Sequence, residues 1–229
     1  MKGKSNSSRA GTRKRILLVD DHPLMREGIV QWIRRAPDLD VCGEAESAAE
    51  AISRVARLKP DLVLMDISLP GRNGLELIKD LTALHPDLPV LVLSMHDEAI
   101  YAGRALRAGA RGYIMKRSGG DRVIEGIRAV LAGRIALGPE MATHLLEEYS
   151  GRHSQTGRTS LSNLTDREFE VLELVGEFKS NGEIAEQLHL SPKTVITHRG
   201  NLIRKLKLNR SQELLRFAAQ YGEHVQNMT

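Results

Sequence analysis

Ile16-Leu17-Leu18-Val19, running directly into Asp20-Asp21, is the stretch that decides the fold. The same arrangement returns three times: Leu62-Val63-Leu64-Met65 into Asp66, Val90-Leu91-Val92-Leu93 into Ser94, and Tyr113-Ile114-Met115 into Lys116. Short continuous apolar runs separated by helix-like stretches read as strands buried on both faces, which is the signature of a parallel sheet. In an open α/β sheet the ligand crevice lies at the carboxyl ends of the strands. The pattern therefore gathers three carboxylates, a hydroxyl and an ammonium at one sheet edge. That collection suits a divalent cation and a phosphoryl group.

Working outward, strand 15–20 is followed by a helix from about Pro23 to Arg35 with Leu24, Gly28, Ile29, Trp32 and Ile33 as its expected inner stripe. A weaker strand, Asp40 to Glu44, leads to a helix starting near Ser47, where Ser47 and Glu50 fit a capping box. Lys59-Pro60 ends that helix, and the turn-rich loop Leu69-Pro70-Gly71-Arg72-Asn73-Gly74 follows strand 62–66. Helices near 75–84, 97–108 and 121–132 complete five βα units. The expected fold class is α/β: a doubly wound, five-stranded parallel sheet with right-handed crossovers. From about Gly151 to Asn163 the composition turns to Ser, Gly, Thr and Arg, as in a linker. The remainder has helical period throughout. Thr165 with Glu168 forms a capping-box pattern, Ser191-Pro192 caps and starts a longer helix, and the turn around His189-Leu190 makes a helix-turn-helix. The divisions expected are a basic tail 1–14, an α/β domain 15–137, a linker 138–163 and a small all-α domain 164–229.

The 229 residues suffice for two domains with their own cores. The one cysteine, Cys42, can form no internal disulfide and no metal cluster. No run is long and apolar enough for a membrane span, and the basic N-terminus is not followed by a leader-like apolar segment. A cytoplasmic, non-membrane protein is expected. Charge is unevenly spread. Lys2, Lys4, Arg9, Arg13, Lys14 and Arg15 make the start basic, whereas the C-terminal region is acidic from Asp166 to Glu186 and basic from Lys193 to Arg216. Such polarity suits a small domain that lays one face on an anionic polymer.

Asp66 is the pivotal residue. Carboxylates crowded at neighbouring strand ends repel one another, and a Mg²⁺ ion relieves that because it takes oxygen ligands and keeps several waters. Asp21 and Asp66 suit direct ligation, with Asp20 acting through water. Phosphoryl transfer to Asp66 would add charge that Lys116 is placed to neutralise, while Ser94 is placed to hydrogen-bond a phosphoryl oxygen. Through these residues, residues 15–135 resemble the receiver domain of a two-component response regulator, whose fold is flavodoxin-like. The resemblance implies an acidic pair in Asp20-Asp21, a phosphoacceptor in Asp66, a switch hydroxyl in Ser94, a cationic lysine in Lys116 and a switch aromatic in Tyr113. It also implies a backbone carbonyl ligand to Mg²⁺ from Ser68 and a sensor histidine kinase as phosphoryl donor. Arg72 and Arg117 depart from the residues usual in such receivers without touching the chemistry.

Residues 164–216 resemble a LuxR-type helix-turn-helix through Leu164-Thr165, Arg167-Glu168, Ser180-Asn181, Glu183-Ile184-Ala185, Thr194-Val195, His198 and Lys205-Leu206. The whole chain thus resembles the NarL/FixJ class, which implies double-stranded DNA as a partner and a homodimer on phosphorylation. At about 3.6 residues per turn, Val195, His198, Leu202 and Leu206 share the inner side of the recognition helix. The candidate DNA contacts are Lys193, Thr194, Ile196, Thr197, Arg199, Gly200 and Arg204. Lys193, Arg199 and Arg204 suit phosphates, and Ile196 and Thr197 suit a thymine methyl or another base edge. Ile196 and Gly200 stand where some relatives carry lysine.

Two other readings remain at this stage. An aspartate-nucleophile phosphatase needs an acid two residues after the nucleophile, and Ser68 occupies that position, so no enzyme is expected. A receiver-controlled interaction module without DNA binding is the remaining alternative.

Overall fold

The computed structural model describes residues 13–69, 73–95, 98–139, 141–143, 161, 163–188 and 190–227. Most of the basic tail, Pro70 to Arg72 of the turn-rich loop, most of the linker and His189 lie outside the described residues. The chain divides into two compact units, Met1–Gly138 and Pro139–Thr229.

In the first unit, β1 (Lys14–Val19), β2 (Leu39–Ala45), β3 (Leu62–Met65), β4 (Val90–Ser94) and β5 (Gly112–Met115) form one sheet in the order β2-β1-β3-β4-β5. All four strand pairs are parallel. Helices α1 (Pro23–Arg35), α2 (Ala48–Leu58), α3 (Gly74–Leu84), α4 (Glu98–Ala108) and α5 (Gly120–Leu131) connect and follow the strands. The strand order reverses between β1 and β3, and that switch point opens the crevice at the strand ends. Every residue of β3 and β4 is buried, as the apolar runs require. One face of the sheet packs Ile16, Leu18, Leu64 and Leu93 against Ile29, Ile33, Val123 and Ile127 of α1 and α5.

Local capping fixes the helix starts. Ser47 accepts from the Glu50 amide, and Asn73 accepts from the Leu75 amide. Lys59 closes α2 in the left-handed region at φ 48°, directly before Pro60. The outer edge of β5 is covered by its own chain: Tyr113 donates its amide to Ala136 at 2.8 Å, and Ala136 donates to Arg111 at 3.1 Å. A covered edge offers no template for a further strand.

Two expectations change. β1 begins at Lys14 rather than Arg15, because the Lys14 amide donates to Asp38 and its ammonium pairs with Asp61 at 2.9 Å. Leu24 does not belong to the inner stripe of α1, since it is 84% exposed. It stands about 140° around the helix from Ile29, and the buried residues are Ile29, Val30 and Ile33.

The second unit comprises α6 (Asp166–Gly176), α7 (Asn181–Gln187), α8 (Pro192–Lys205) and α9 (Ser211–Asn227) among the described residues. Phe169, Leu172, Val175, Ile184, Val195, Leu202, Leu214 and Ala218 form its core. Phe169 meets Tyr221 edge-to-face at 6.0 Å between ring centroids. Complete capping boxes start α6 at Thr165 and Glu168 and α7 at Ser180 and Glu183.

Candidate functional site

Asp20, Asp66, Ser94 and Lys116 are brought to one edge because each directly follows, or ends, a neighbouring strand. All four are buried: Asp20 is 1% exposed, Asp66 3%, Ser94 0% and Lys116 5%. The Lys116 ammonium lies 2.7 Å from Asp66 Oδ2 and 2.6 Å from Asp20 Oδ2. Lys116 donates a hydrogen bond to Asp66 and forms an ion pair with Asp20 Oδ2. Burial opposes charge on this lysine, but Asp66 and Asp20 outweigh it and hold the ammonium above its ordinary range.

The other oxygen of Asp66, Oδ1, accepts the Ser68 amide at 3.1 Å. This turn is packed from behind by Gly74, where a Cβ would fall 2.4 Å from the Ile67 Cα. Only glycine allows so close an approach, and the Gly74 amide closes it by donating to the Ile67 carbonyl at 3.1 Å. Tyr113, two residues into β5, is 0% exposed and so has its ring inside the fold.

Asp21 completes an acidic cluster to which His22 adds a nitrogen. Ligand atoms of Asp20, Asp21, His22 and Asp66 all lie within 4.8 Å of one another. His22 Nδ1 is 2.8 Å from Asp21 Oδ1, and the His22 amide donates to Asp20 Oδ1 at 2.9 Å. Asp20 Oδ2 and Asp21 Oδ1 are buried oxygens whose neighbours are the Lys116 ammonium at 2.6 Å and His22 Nδ1 at 2.8 Å. Three carboxylates held this close repel one another, and one ammonium offsets only part of that charge. A hard, oxygen-seeking divalent cation fits this donor set. His22 was not singled out in the sequence, although its position directly after the acid pair was the available signal.

In the second unit, Ser191 caps α8 by accepting the Thr194 amide, with proline at the first turn. Val195 and Leu202 are fully buried and Leu206 is 8% exposed, so this side of α8 faces the core. Lys193, Ile196, Thr197, Gly200 and Arg204 are all exposed on α8, with Ile196 at 57%. A Cβ built at Gly200 would meet nothing within 4 Å, so the helix surface there is bare.

Four of the candidate DNA contacts are engaged within the unit through their side chains: Thr197 Oγ1 donates to the Lys193 carbonyl at 3.1 Å, Arg204 donates to Asn201 Oδ1 at 2.9 Å, and Thr194 and Arg199 are held as well. Thr194 Oγ1 lies 2.8 Å from Ser191 Oγ, and Arg199 donates to Asn181 Oδ1 at 3.0 Å. Burial lowers the Arg199 guanidinium below its ordinary range. His198 is half-buried, and its buried Nδ1 has no hydrogen-bond partner. Desolvation lowers its basicity, with Glu168 pulling the other way.

Glu168 is the buried anchor of this unit, and the sequence revealed only its capping role. It is 3% exposed, accepts the Thr165 amide at 2.8 Å and pairs with Lys205 at 2.6 Å. Lys205 also reaches the Asn163 carbonyl at 3.2 Å, so it ties α6 to α8.

Comparison with known proteins bears on both units. Residues 16–128 match the response regulator receiver domain, and residues 162–218 match the bacterial regulatory proteins of the luxR family. The transcriptional regulatory protein DegU of Brevibacillus brevis is 36% identical over 207 residues, covering 85% of this chain and 88% of that protein. The DNA-binding transcriptional activator DevR/DosR of Mycobacterium tuberculosis is 38% identical over 208 residues, covering 90% and 94%. Among solved structures, RcsB from Salmonella enterica serovar Typhimurium, bound to promoter rprA in the presence of phosphomimetic BeF3−, aligns with a TM-score of 0.66. That alignment has 25% identity and covers 91% of this chain and 99% of RcsB.

Proposed function

The chain belongs to the NarL/FixJ class of response regulators, a receiver domain joined to a LuxR-type DNA-binding domain, and we propose that phosphorylation of Asp66 controls its binding to DNA. The observation that carries this reading is the buried Asp20–Lys116–Asp66 constellation at the strand ends of a chain whose second unit has one face of α8 exposed.

In this reading residues 15–137 receive the signal, 138–163 link, and 164–229 bind DNA. A sensor histidine kinase is the donor. A carboxylate oxygen of Asp66 attacks phosphorus, the bond to the donor imidazole nitrogen breaks, and the electron pair leaves with that nitrogen. The product is an acyl phosphate on Asp66, with one more negative charge in a buried site. Lys116, already 2.7 Å from Asp66, is placed to neutralise that charge.

Receiver domains generally bind Mg²⁺ through acidic residues, and here Asp20, Asp21 and Asp66, with the Ser68 carbonyl, would hold it. When bound, Mg²⁺ supplies charge neutralisation to the transferring phosphoryl group. Ser94 then hydrogen-bonds a phosphoryl oxygen and Tyr113 fills the space beside it. This is a two-state switch biased by a local change of charge. It is not a turnover site: Ser68 stands where a phosphatase of this type needs an acid.

On the DNA side, Lys193, Arg199 and Arg204 contact phosphates, which position the domain. Ile196, Thr197 and the bare Gly200 face base edges, and Thr194 orients the start of α8. Phosphorylation favours a homodimer that meets two half-sites. No helix among the described residues is long and apolar enough to cross a membrane, in keeping with a cytoplasmic regulator.

The experiment is direct. The protein incubated with a low-molecular-weight acyl phosphate and Mg²⁺ gains one phosphoryl group by mass spectrometry. Hydroxylamine removes the group, and Asp66→Asn does not acquire it. A modification that survives hydroxylamine, or that persists in Asp66→Asn, contradicts the assignment.

A further inference from the structure

Arg26 lies outside the acidic cluster, yet its guanidinium is committed to the loop that carries Asp20 and to the end of β2 beside it. Its side chain is only 12% exposed. Nη1 donates to the backbone carbonyl of Asp20 at 2.7 Å, Nε to Glu44 Oε2 at 2.9 Å, and Nη2 to Glu46 Oε1 at 2.6 Å. Asp20 begins the loop from β1 to α1, Glu44 lies near the end of β2, and Glu46 follows β2. One rigid, planar fork thus joins the β1–α1 loop to β2 and the residue that follows it, a task for which the single point charge of lysine is poorly suited.

The grip on Asp20 bears directly on Asp21. A carbonyl oxygen and the next residue's amide share one rigid plane. Fixing the Asp20 oxygen therefore fixes the rotation of the peptide leading into Asp21, and leaves only the rotation about the Asp21 N–Cα bond to set the direction in which its side chain leaves the backbone. Asp21 Oδ1 meets His22 Nδ1 at 2.8 Å, a neighbour in the same loop, so Arg26 gives this loop a side-chain anchor on β2 that His22 does not supply.

We propose that Arg26 is a positioning residue for the divalent-cation site, aiming Asp21 through the Asp20 carbonyl with Glu44 and Glu46 as its anchors. The inference rests on the metal reading given above. Charge and geometry predict opposite signs for its removal. A cation lost from the neighbourhood of an acidic cluster makes that cluster more attractive to a second cation. Loss of the grip misaligns a ligand and weakens binding. Residues of this supporting kind typically affect metal affinity about 10–100-fold.

The test compares full-length wild type, Arg26→Gln and Arg26→Lys. Mn²⁺ binding is followed by electron paramagnetic resonance, with Mg²⁺ as competitor. Arg128→Gln is the control, because it breaks an exposed bidentate pair with Asp38 before the start of β2. Arg26→Gln is expected to weaken Mg²⁺ about tenfold and Arg26→Lys about threefold, with the control unchanged. The lysine variant keeps the charge, so its loss isolates the geometry and remains readable if the glutamine variant folds poorly.

A second readout is the Mg²⁺ concentration giving half-maximal phosphorylation by a low-molecular-weight acyl phosphate. It should rise in both variants while the rate at saturating Mg²⁺ holds. Tighter binding in Arg26→Gln, wild-type affinity in both variants, or a lowered plateau at unchanged half-saturation overturns the proposal. A wild type that binds no Mn²⁺ overturns the metal reading itself, and this inference with it.

Discussion

Lys116→Met removes the single cation from between Asp20 and Asp66 while keeping most of the side-chain volume. The ammonium lies 2.6 Å from one carboxylate and 2.7 Å from the other, and all three residues are at most 5% exposed. Deleting one partner of a buried pair costs about 3–5 kcal/mol, because the charge left behind is uncompensated. A loss of about 3 kcal/mol at neutral pH without divalent cation is therefore expected. A cation bound at a hundredfold excess over its dissociation constant returns about 2.7 kcal/mol. The variant site, one positive charge poorer, should bind Mg²⁺ more tightly than wild type. Trp32, the only tryptophan, lies in the first unit against Gly120 and reports its unfolding. Urea unfolding followed by its fluorescence, in chelator and in saturating Mg²⁺, gives both numbers. The reasoning fails if Lys116→Met stays within about 1 kcal/mol of wild type in chelator. It fails equally if Mg²⁺ stabilises the variant no more than it stabilises wild type.

Two further outcomes concern the second unit. Burial pushes the Glu168 carboxyl up, but Lys205 and the Thr165 amide outweigh it and hold the group below its ordinary range. A depressed folded-state pKa gives stability that is present above the unfolded value of about 4.3 and lost as pH falls through the folded value. Far-UV circular dichroism across acid pH should show this loss in wild type. Glu168→Gln should be about 1–3 kcal/mol less stable at neutral pH and less sensitive to acid; an acid profile identical to wild type contradicts the role given to Glu168. Gly200→Lys adds a charge to the bare surface of α8 and should tighten binding to random duplex DNA. Its log–log salt slope should steepen by about 0.9, and an unchanged slope means that this face does not lie along the phosphates.

The parallel sheet was legible because β3 and β4 are buried on both faces and leave uninterrupted apolar runs. Leu24 shows where that legibility stops. It is apolar and near the start of a helix, but only the angular register with Ile29, Val30 and Ile33 reveals that it faces outward. Asp20, Asp66 and Lys116, the charged residues proposed for the site, were legible because each directly follows a strand. Arg26 did not, because its partners are a backbone carbonyl and two glutamates about twenty residues away, joined only by the pairing of β1 with β2. The pairing of Glu168 with Lys205 was hidden in the same way, since it spans 37 positions and closes only when α6 packs on α8. In each case the charge was visible in the sequence and the partner was a product of the tertiary fold.

The central claim is that charge placed on Asp66 governs what α8 does. The measurement that tests it most directly is a gel shift of genomic fragments with full-length protein, with and without a low-molecular-weight acyl phosphate and Mg²⁺, for wild type and Asp66→Asn. The account predicts that the phosphodonor increases specific retardation by wild type and leaves Asp66→Asn unchanged. Equal enhancement in both proteins, or no retarded fragment under any condition, contradicts it.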